Sequence, residues 1–268
     1  MGLMCGIAGY SLAPDSRLDR TLAAQALLAA IAERGTDAVG YAYAVSGSNA
    51  PVVVKQRTPA SKLLDHVAVP ASAHELLLHV RDFTKGHPSI DANNHPVRHG
   101  PVVGVHNGRI LNDDALLAEH ACARAEPSMT VDSEAVFAIA AHSRSDAKAF
   151  ESLYGTMAAA WLDERRPGVL HLGRGVGRPL WLGECRDGTL FASTDHALEV
   201  AEQYCDLRLR KRRVDDGIVL HLHHGKVVSR QRFRPQDYLE HDPVPEPRGI
   251  RERESCLRQL AAIAASCV

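Results

Sequence analysis

Apolar positions in this chain recur with two periods, and the changes of period mark its elements. Residues 6–10 form a short apolar run that predicts a buried strand at the head of the chain. Leucines and alanines over 17–34 follow helical spacing, with Asp15 or Ser16 as the cap and Gly35 just past the end. Residues 39–45 and 52–56 alternate like a hairpin joined through Ser46, Gly47, Ser48 and Asn49. A short helix is expected over 61–67. A strand over 74–80 then delivers His79 and Arg81 to its end. Residues 82–100 are rich in Pro, Gly, His and Asn, carry little periodicity, and read as a long functional loop.

A strand over 101–106 is broken by Asn107-Gly108, a strong turn signal. Helical spacing returns over 113–123 and 133–143, with Asp132 placed to cap the second helix and Glu134 near its first turn. From Gly155 the pattern is β-rich, with strands expected over 156–162, 168–173, 180–183, 190–193, 217–223 and 226–232. A short helix over 196–203 interrupts them. Past Arg234 the composition shifts to a proline-rich, extended linker over 242–248, then a terminal amphipathic helix over 251–265. Strands, a pair of helices and more strands suggest two β-sheets covered by helices.

The 268 residues suffice for one large domain or two small ones. A hydrophobic fraction of 45% with 24% charged residues is that of an ordinary soluble chain. The formal net charge of -1 argues against a general nucleic-acid binder. No apolar run approaches the roughly 20 residues that span a bilayer, so no membrane partner is expected. Nothing at the start reads as a secretory signal. Cys5, Cys122, Cys185, Cys205, Cys256 and Cys267 form no C-x-x-C pair and suit a reducing, cytoplasmic setting.

Candidate chemistry begins at Met4-Cys5-Gly6-Ile7. If methionine is trimmed before the small Cys5 side chain, one residue carries both a thiol and an α-amine. That amine, with a pKa of roughly 8, relays the sulfur proton. Met1-Gly2-Leu3 lies upstream, so this requires translation from Met4 or removal of a short propeptide. An attached segment would lock the nitrogen in a peptide bond and end the mechanism.

Further motifs follow in order: Arg34-Gly35-Thr36-Asp37 with Gly40; His79-Val80-Arg81 with Thr84 and Gly86; Asn94-His95-Pro96; Val105-His106-Asn107-Gly108; and Val131-Asp132-Ser133-Glu134. With Cys5-Gly6-Ile7-Ala8-Gly9, this set resembles the class II glutamine amidotransferase domain, an N-terminal-nucleophile hydrolase. The resemblance runs from Cys5 to about residue 235 and implies an α+β fold, a four-layer αββα sandwich. It therefore divides the chain into that domain at 5–235 and a linker with a terminal helix at 236–268.

The resemblance also implies roles. Cys5 attacks the side-chain amide of L-glutamine, and the Asn107 side chain with the Gly108 backbone N–H forms the oxyanion hole. Arg81 grips the substrate carboxylate, where a guanidinium fork suits a bidentate contact. Asp132 holds the α-ammonium group, and Thr84 and Gly86 fall in the segment that closes over glutamine. Arg34 and His95 are expected as structural supports. No metal or organic cofactor is implied. The expected reaction yields glutamate and ammonia, with the ammonia supplied to a separate synthase. A γ-glutamyl amidohydrolase and a catalytically silent binding or structural module of the same fold are the alternatives.

Relatives often carry Trp or Tyr where this chain has Asp82; either an acidic residue beside the carboxylate clamp alters loop closure, or the aromatic role passes to Phe83. Three other features read as decoys. Residues 173–177 mimic a nucleotide loop without a clear helix after it, and His221, His223 and His224 lack neighbouring ligands for a metal. The basic run over 208–213 reads as a solvated loop or a guarded edge strand.

Overall fold

A computed structural model of the chain describes residues 5–45, 47–48, 50–238 and 249–266. In chain order the elements are β1 (Gly6–Leu12), α1 (Arg20–Ile31), β2 (Ala38–Val45), β3 (Val52–Gln56), β4 (Ala73–Arg81), β5 (Val97–His99), β6 (Val102–Ile110), α2 (Asp113–Glu119) and α3 (Ser133–Ser143). They continue as β7 (Gly155–Asp163), β8 (Val169–Arg174), β9 (Trp181–Cys185), β10 (Gly188–Ala192), α4 (Asp195–Cys205), β11 (Arg210–Arg213), β12 (Ile218–His223), β13 (Lys226–Arg232) and α5 (Ile250–Ser266). One sheet runs β11-β9-β10-β1-β4-β2-β3 and the other β13-β12-β8-β7-β6-β5. Their pairings are antiparallel.

Strand alternation sorts the side chains into layers. In β1, Ile7 faces the other sheet with Leu77, Val103, Val105 and Leu172, whereas Ala8 and Tyr10 join the helix layer. That helix layer holds Leu27 and Leu28 of α1, Leu198 of α4 and Leu260 of α5. On the second sheet's outer face, Val136, Phe137 and Ile139 of α3 pack with Phe150 and Trp161. The result is an αββα sandwich of two antiparallel sheets, the architecture implied by the motifs. Among the described residues no helix is long and apolar enough to cross a membrane.

Several boundaries differ from expectation, each for a physical reason. The first helix starts later, because Asp187 accepts from the Ser16 hydroxyl (3.0 Å) and the Arg17 N–H (3.1 Å), fastening this stretch to the β9–β10 turn. Asp19 is the cap, accepting from the Leu22 N–H at 3.0 Å. Gly35 is extended (φ 178°) rather than left-handed. Its small size serves close packing instead, since a Cβ there would come 2.3 Å from the Arg81 carbonyl oxygen.

The stretch expected as a helix over 61–67 forms two single 3₁₀ turns. Asn107-Gly108 makes no turn: β6 runs through to Ile110, with Asn107 opposite Ala158 and Gly108 opposite Met157 on β7. Pairing with a full-length neighbour overrides the local turn preference. The basic run ends in β11, an edge strand whose Arg210 and Arg212 pair with Glu184. Helix α5 buries Cys256 and Leu260 against the α1 layer, and Arg253 meets Glu33 at 2.5 Å. The expected linker over 242–248, Met1–Met4, Cys267, and Ser46 with Asn49 of the hairpin connection lie outside the described residues.

Candidate active site

Register brings the site together. Gly6 of β1 pairs with Val80 of β4, which sets Cys5 beside Arg81 at one end of the first sheet. Strand β6 of the second sheet carries Asn107 and Gly108 to the same end, and Asp132 precedes α3. Cys5, Arg81, Thr84, His95, Gly108 and Asp132 line one small cleft, partly open to solvent. Asp82, Phe83, Lys85, His106, Val131 and Ser133 complete its wall. Asn107, Gly86 and Arg34 are not part of that lining.

Cys5 is half-buried as a residue, while its sulfur is enclosed by protein. The thiol donates to the Asp82 carbonyl at 3.3 Å. Burial pushes its pKa up to about 11, against the lowering pull of that backbone contact and of Arg81. A neutral thiol at pH 7 requires a base before it can attack. Arg34, buried behind it, donates from Nε to the Cys5 carbonyl at 3.3 Å, as a supporting side chain would.

Arg81 is 2% exposed. Its Nη1 donates to the Asn93 carbonyl (2.5 Å) and Asn94 Oδ1 (2.7 Å). Its Nη2 donates to the carbonyls of Lys85 (3.0 Å) and Gly86. Both terminal nitrogens thus organise the loop over 82–94. Gly86 (φ 79°) lets that loop press on the segment before α3, since a Cβ would lie 3.0 Å from Val131. Asn93 completes the stitch, its Oδ1 accepting from the N–H groups of Thr130 (2.7 Å) and Val131 (3.0 Å).

Asp132 occupies the cap position of α3, but its side chain makes no cap hydrogen bond and accepts from the Ile110 N–H at 2.7 Å. Burial raises its pKa to about 6. On β6, Asn107 shares the parity of Val103 and Val105 and so faces the first sheet. Its side chain is wholly buried, and neither its oxygen nor its nitrogen has a partner. A buried amide left unpaired costs about 1–3 kcal/mol, so such a group is expected to meet a ligand. At Gly108 a Cβ would fall 2.0 Å from the Thr156 carbonyl oxygen. Glycine lets β6 approach β7 closely at this point.

Three buried histidines surround this end. His79 donates from Nε2 to the His106 carbonyl at 3.2 Å, across the two sheets. His106 accepts from Ser133 at Nδ1 (2.8 Å) and donates from Nε2 to the Thr156 carbonyl (3.2 Å). His95 stacks on His79 with ring centroids 4.0 Å apart, and neither of its ring nitrogens has a partner. Burial depresses their pKa values, to about 3 for His79, to about 4 for His106, and well below the usual range for His95. All three are neutral at pH 7.

Lys85, Asn93 and Ser133 are structural contributors to which sequence reading assigned no role. Lys85 stands between Thr84 and Gly86, and the Asn93-Asn94 pair in a loop was an available signal. Ser133 needed the fold, because it meets His106 only through the packing of α3 on β6. Among the described residues no group of His, Cys, Asp and Glu could hold a metal ion.

Residues 85–200 match the family model described as glutamine amidotransferase domain. That stretch contains Gly86, His95, Asn107, Gly108 and Asp132 but not Cys5, Arg34 or Arg81. No curated protein matches the chain. Among solved structures, the chain is similar to the glutamine phosphoribosylpyrophosphate amidotransferase of B. subtilis, with 16% identity, a TM-score of 0.64 and 85% of this chain covered. An allosteric regulatory enzyme of purine biosynthesis matches at 17% identity and a TM-score of 0.67, again over 85% of this chain. The chain spans about half of each, 49% of their length. A glutamine aminotransferase class-II domain protein from Silicibacter pomeroyi is matched over its whole length and 86% of this chain, at 18% identity and a TM-score of 0.55. These likenesses establish the fold. The match over residues 85–200 makes that stretch similar to a glutamine amidotransferase domain, carried on a fold shared with these amidotransferase structures.

Proposed function

We propose that the domain hydrolyses L-glutamine to glutamate and ammonia through a γ-glutamyl thioester on Cys5, and that the ammonia passes to a synthase on another polypeptide. The observation that carries this reading is the Cys5 thiol sharing a cleft with Arg81 and Asp132, beside a buried Asn107 amide without a partner. A thiol alone would suit many reactions. A thiol with a guanidinium, a carboxylate and a nearby unpartnered amide suits a zwitterion bearing an amide.

In this reading the α-amine of a terminal Cys5 takes the sulfur proton as the thiolate attacks the substrate Cδ. The tetrahedral oxyanion accepts from Asn107 Nδ2 and the Gly108 N–H. The ammonium formed at Cys5 returns its proton to the departing nitrogen, and water then cleaves the thioester. Asp132 receives the α-ammonium group. Arg81 receives the carboxylate once the Lys85 or Gly86 carbonyl yields its place at Nη2, so binding moves the loop over 82–86.

The test is a glutamate-release assay on two forms of the protein, one beginning at Cys5 and one retaining Met1–Met4. Release is expected from the first alone, with Cys5→Ala reducing it at least ~10³-fold. Equal activity in both forms would sink the role of the α-amine. No activity in either, with or without the synthase that accepts the ammonia, would sink the reading itself.

A further inference from the structure

The loop that walls the cleft is held by more than Arg81. Lys85 Nζ lies 2.7 Å from both carboxylate oxygens of Asp113 and 3.2 Å from Asp114 Oδ2, at the start of α2. Arg124 grips the same two carboxylates through Nη2, at 2.8 Å on Asp113 and 2.5 Å on Asp114. Its Nη1 reaches the Val131 carbonyl (2.8 Å) and Glu134 Oε2 (3.1 Å). The Asp113 side chain is 2% exposed and that of Glu134 0%, so the centre of this network is shielded from water. One ionic chain therefore runs from the loop, through α2, to the residues flanking Asp132. The same loop accepts the Cys5 thiol proton at the Asp82 carbonyl.

We propose that Lys85 is a positioning residue: its ion pair with Asp113 and Asp114 latches the 82–94 loop shut over Cys5 and governs how readily a ligand reaches the thiol. An exposed ion pair contributes little, and the Asp114 partner is of that kind. Asp113 is different, because its carboxylate is enclosed and the Lys85 ammonium is one of two cations that neutralise it. Opening the loop separates that pair, so the closed form is favoured by charge and weakened by salt. The prediction for glutamine below rests on the function proposed above, whereas that for the thiol does not.

The experiment follows carbamidomethylation of Cys5 by iodoacetamide, read by peptide mass spectrometry on the full chain, with Cys185 on the remote β9 as internal control. Lys85→Met is expected to accelerate Cys5 labelling about 5-fold or more, leave Cys185 unchanged, and be rescued by Lys85→Arg to within about 2-fold of the parent. Raising salt from about 0.05 to about 0.5 M is expected to accelerate Cys5 labelling severalfold in the parent and not in Lys85→Met. Unchanged Cys5 labelling in the variant, or equal acceleration at Cys185, overturns the latch. If Lys85→Met does not fold, the parent's salt response decides: a Cys5 rate indifferent to salt overturns it. With glutamine, whose carboxylate must displace the loop from Arg81, Lys85→Met is expected to lower KM about 5-fold with kcat within about 2-fold of the parent. A responsive thiol without glutamine hydrolysis leaves the latch standing and overturns the glutaminase reading. Hydrolysis with neither KM nor labelling altered does the reverse.

Discussion

The two ends of this sandwich treat buried groups in opposite ways. Over the first sheet, α1, α4 and α5 close a layer built mainly of Leu27, Leu28, Ile31, Leu198 and Leu260, in which the buried Gln25 donates to the Leu64 carbonyl. At the cleft end, the buried groups are Asn107, His79, His95, His106, Arg34, Arg81 and Asp132, several with atoms that meet no partner. The first region lowers free energy by removing apolar surface from water. The second raises it by desolvating polar groups, and persists because the first holds it in place. Such an unpaired polar set is what a site kept ready for a ligand requires.

Mutations that separate stability from activity test this contrast. The largest effect is expected in the helix layer: Leu28→Ala should cost about 2–5 kcal/mol of unfolding free energy, with KM for glutamine unchanged. At the cleft, Asn107→Ala should do the opposite. It removes atoms that bond to nothing in the folded protein, so the melting temperature should hold, while under the proposed function kcat falls by the ~2.7–4 kcal/mol of a lost oxyanion donor. An Asn107→Ala protein that unfolds as easily as Leu28→Ala would erase the distinction between the two regions.

A smaller effect lies in acid. The histidines of the cleft have folded pKa values below the unfolded value of about 6.5, so the unfolded chain binds their protons first. Each contributes stability above pH 6.5 that is lost as pH falls toward its folded value. For His106 that window runs down to about 4, at about 1.4 kcal/mol per pH unit. Asp132 works the other way: its pKa is raised to about 6, so the stability it lends is full below the unfolded carboxylate value and fades as pH rises through 6. One carboxyl offsets one of three histidines, and the cleft end should be acid-labile. Denaturant titrations between pH 4.5 and 6.5 should show His106→Asn flattening the slope by about 1.4 kcal/mol per unit. An unaltered slope would mean His106 is protonated in the fold.

The smallest effect concerns binding. Under the proposed function an ionised Asp132 holds the ammonium group, so KM for glutamine should rise severalfold as pH falls below about 6. Asp132→Asn should remove that pH dependence along with most of the affinity.

Much of this was legible in the chain. Sequence pattern located β1, β4 and α3 closely: β1 and β4 are buried on both faces and read as short apolar runs, and α3 as a longer run at helical spacing. Of the residues in the ordered motifs, Cys5, Arg81, Thr84, His95, Gly108 and Asp132 line the cleft, whereas Arg34, Gly86 and Asn107 do not. Asn107-Gly108 was misread as a turn, since its local preference is real but β7 supplies a partner along the whole of β6. Gly35 was expected to be left-handed and proved to be a contact glycine, a fact that only the position of Arg81 decides.

What the sequence determined alone is therefore the local: which stretches bury a face, and which side chains have the chemistry for attack, clamp and proton relay. The tertiary structure decided relations between distant stretches. It set Cys5 beside Arg81 through the β1–β4 register, joined Lys85 to Asp113, and left Asn107 without a partner. Periodicity is a property of neighbours along the chain, whereas a hydrogen bond made or withheld across two sheets depends on packing that no single segment encodes.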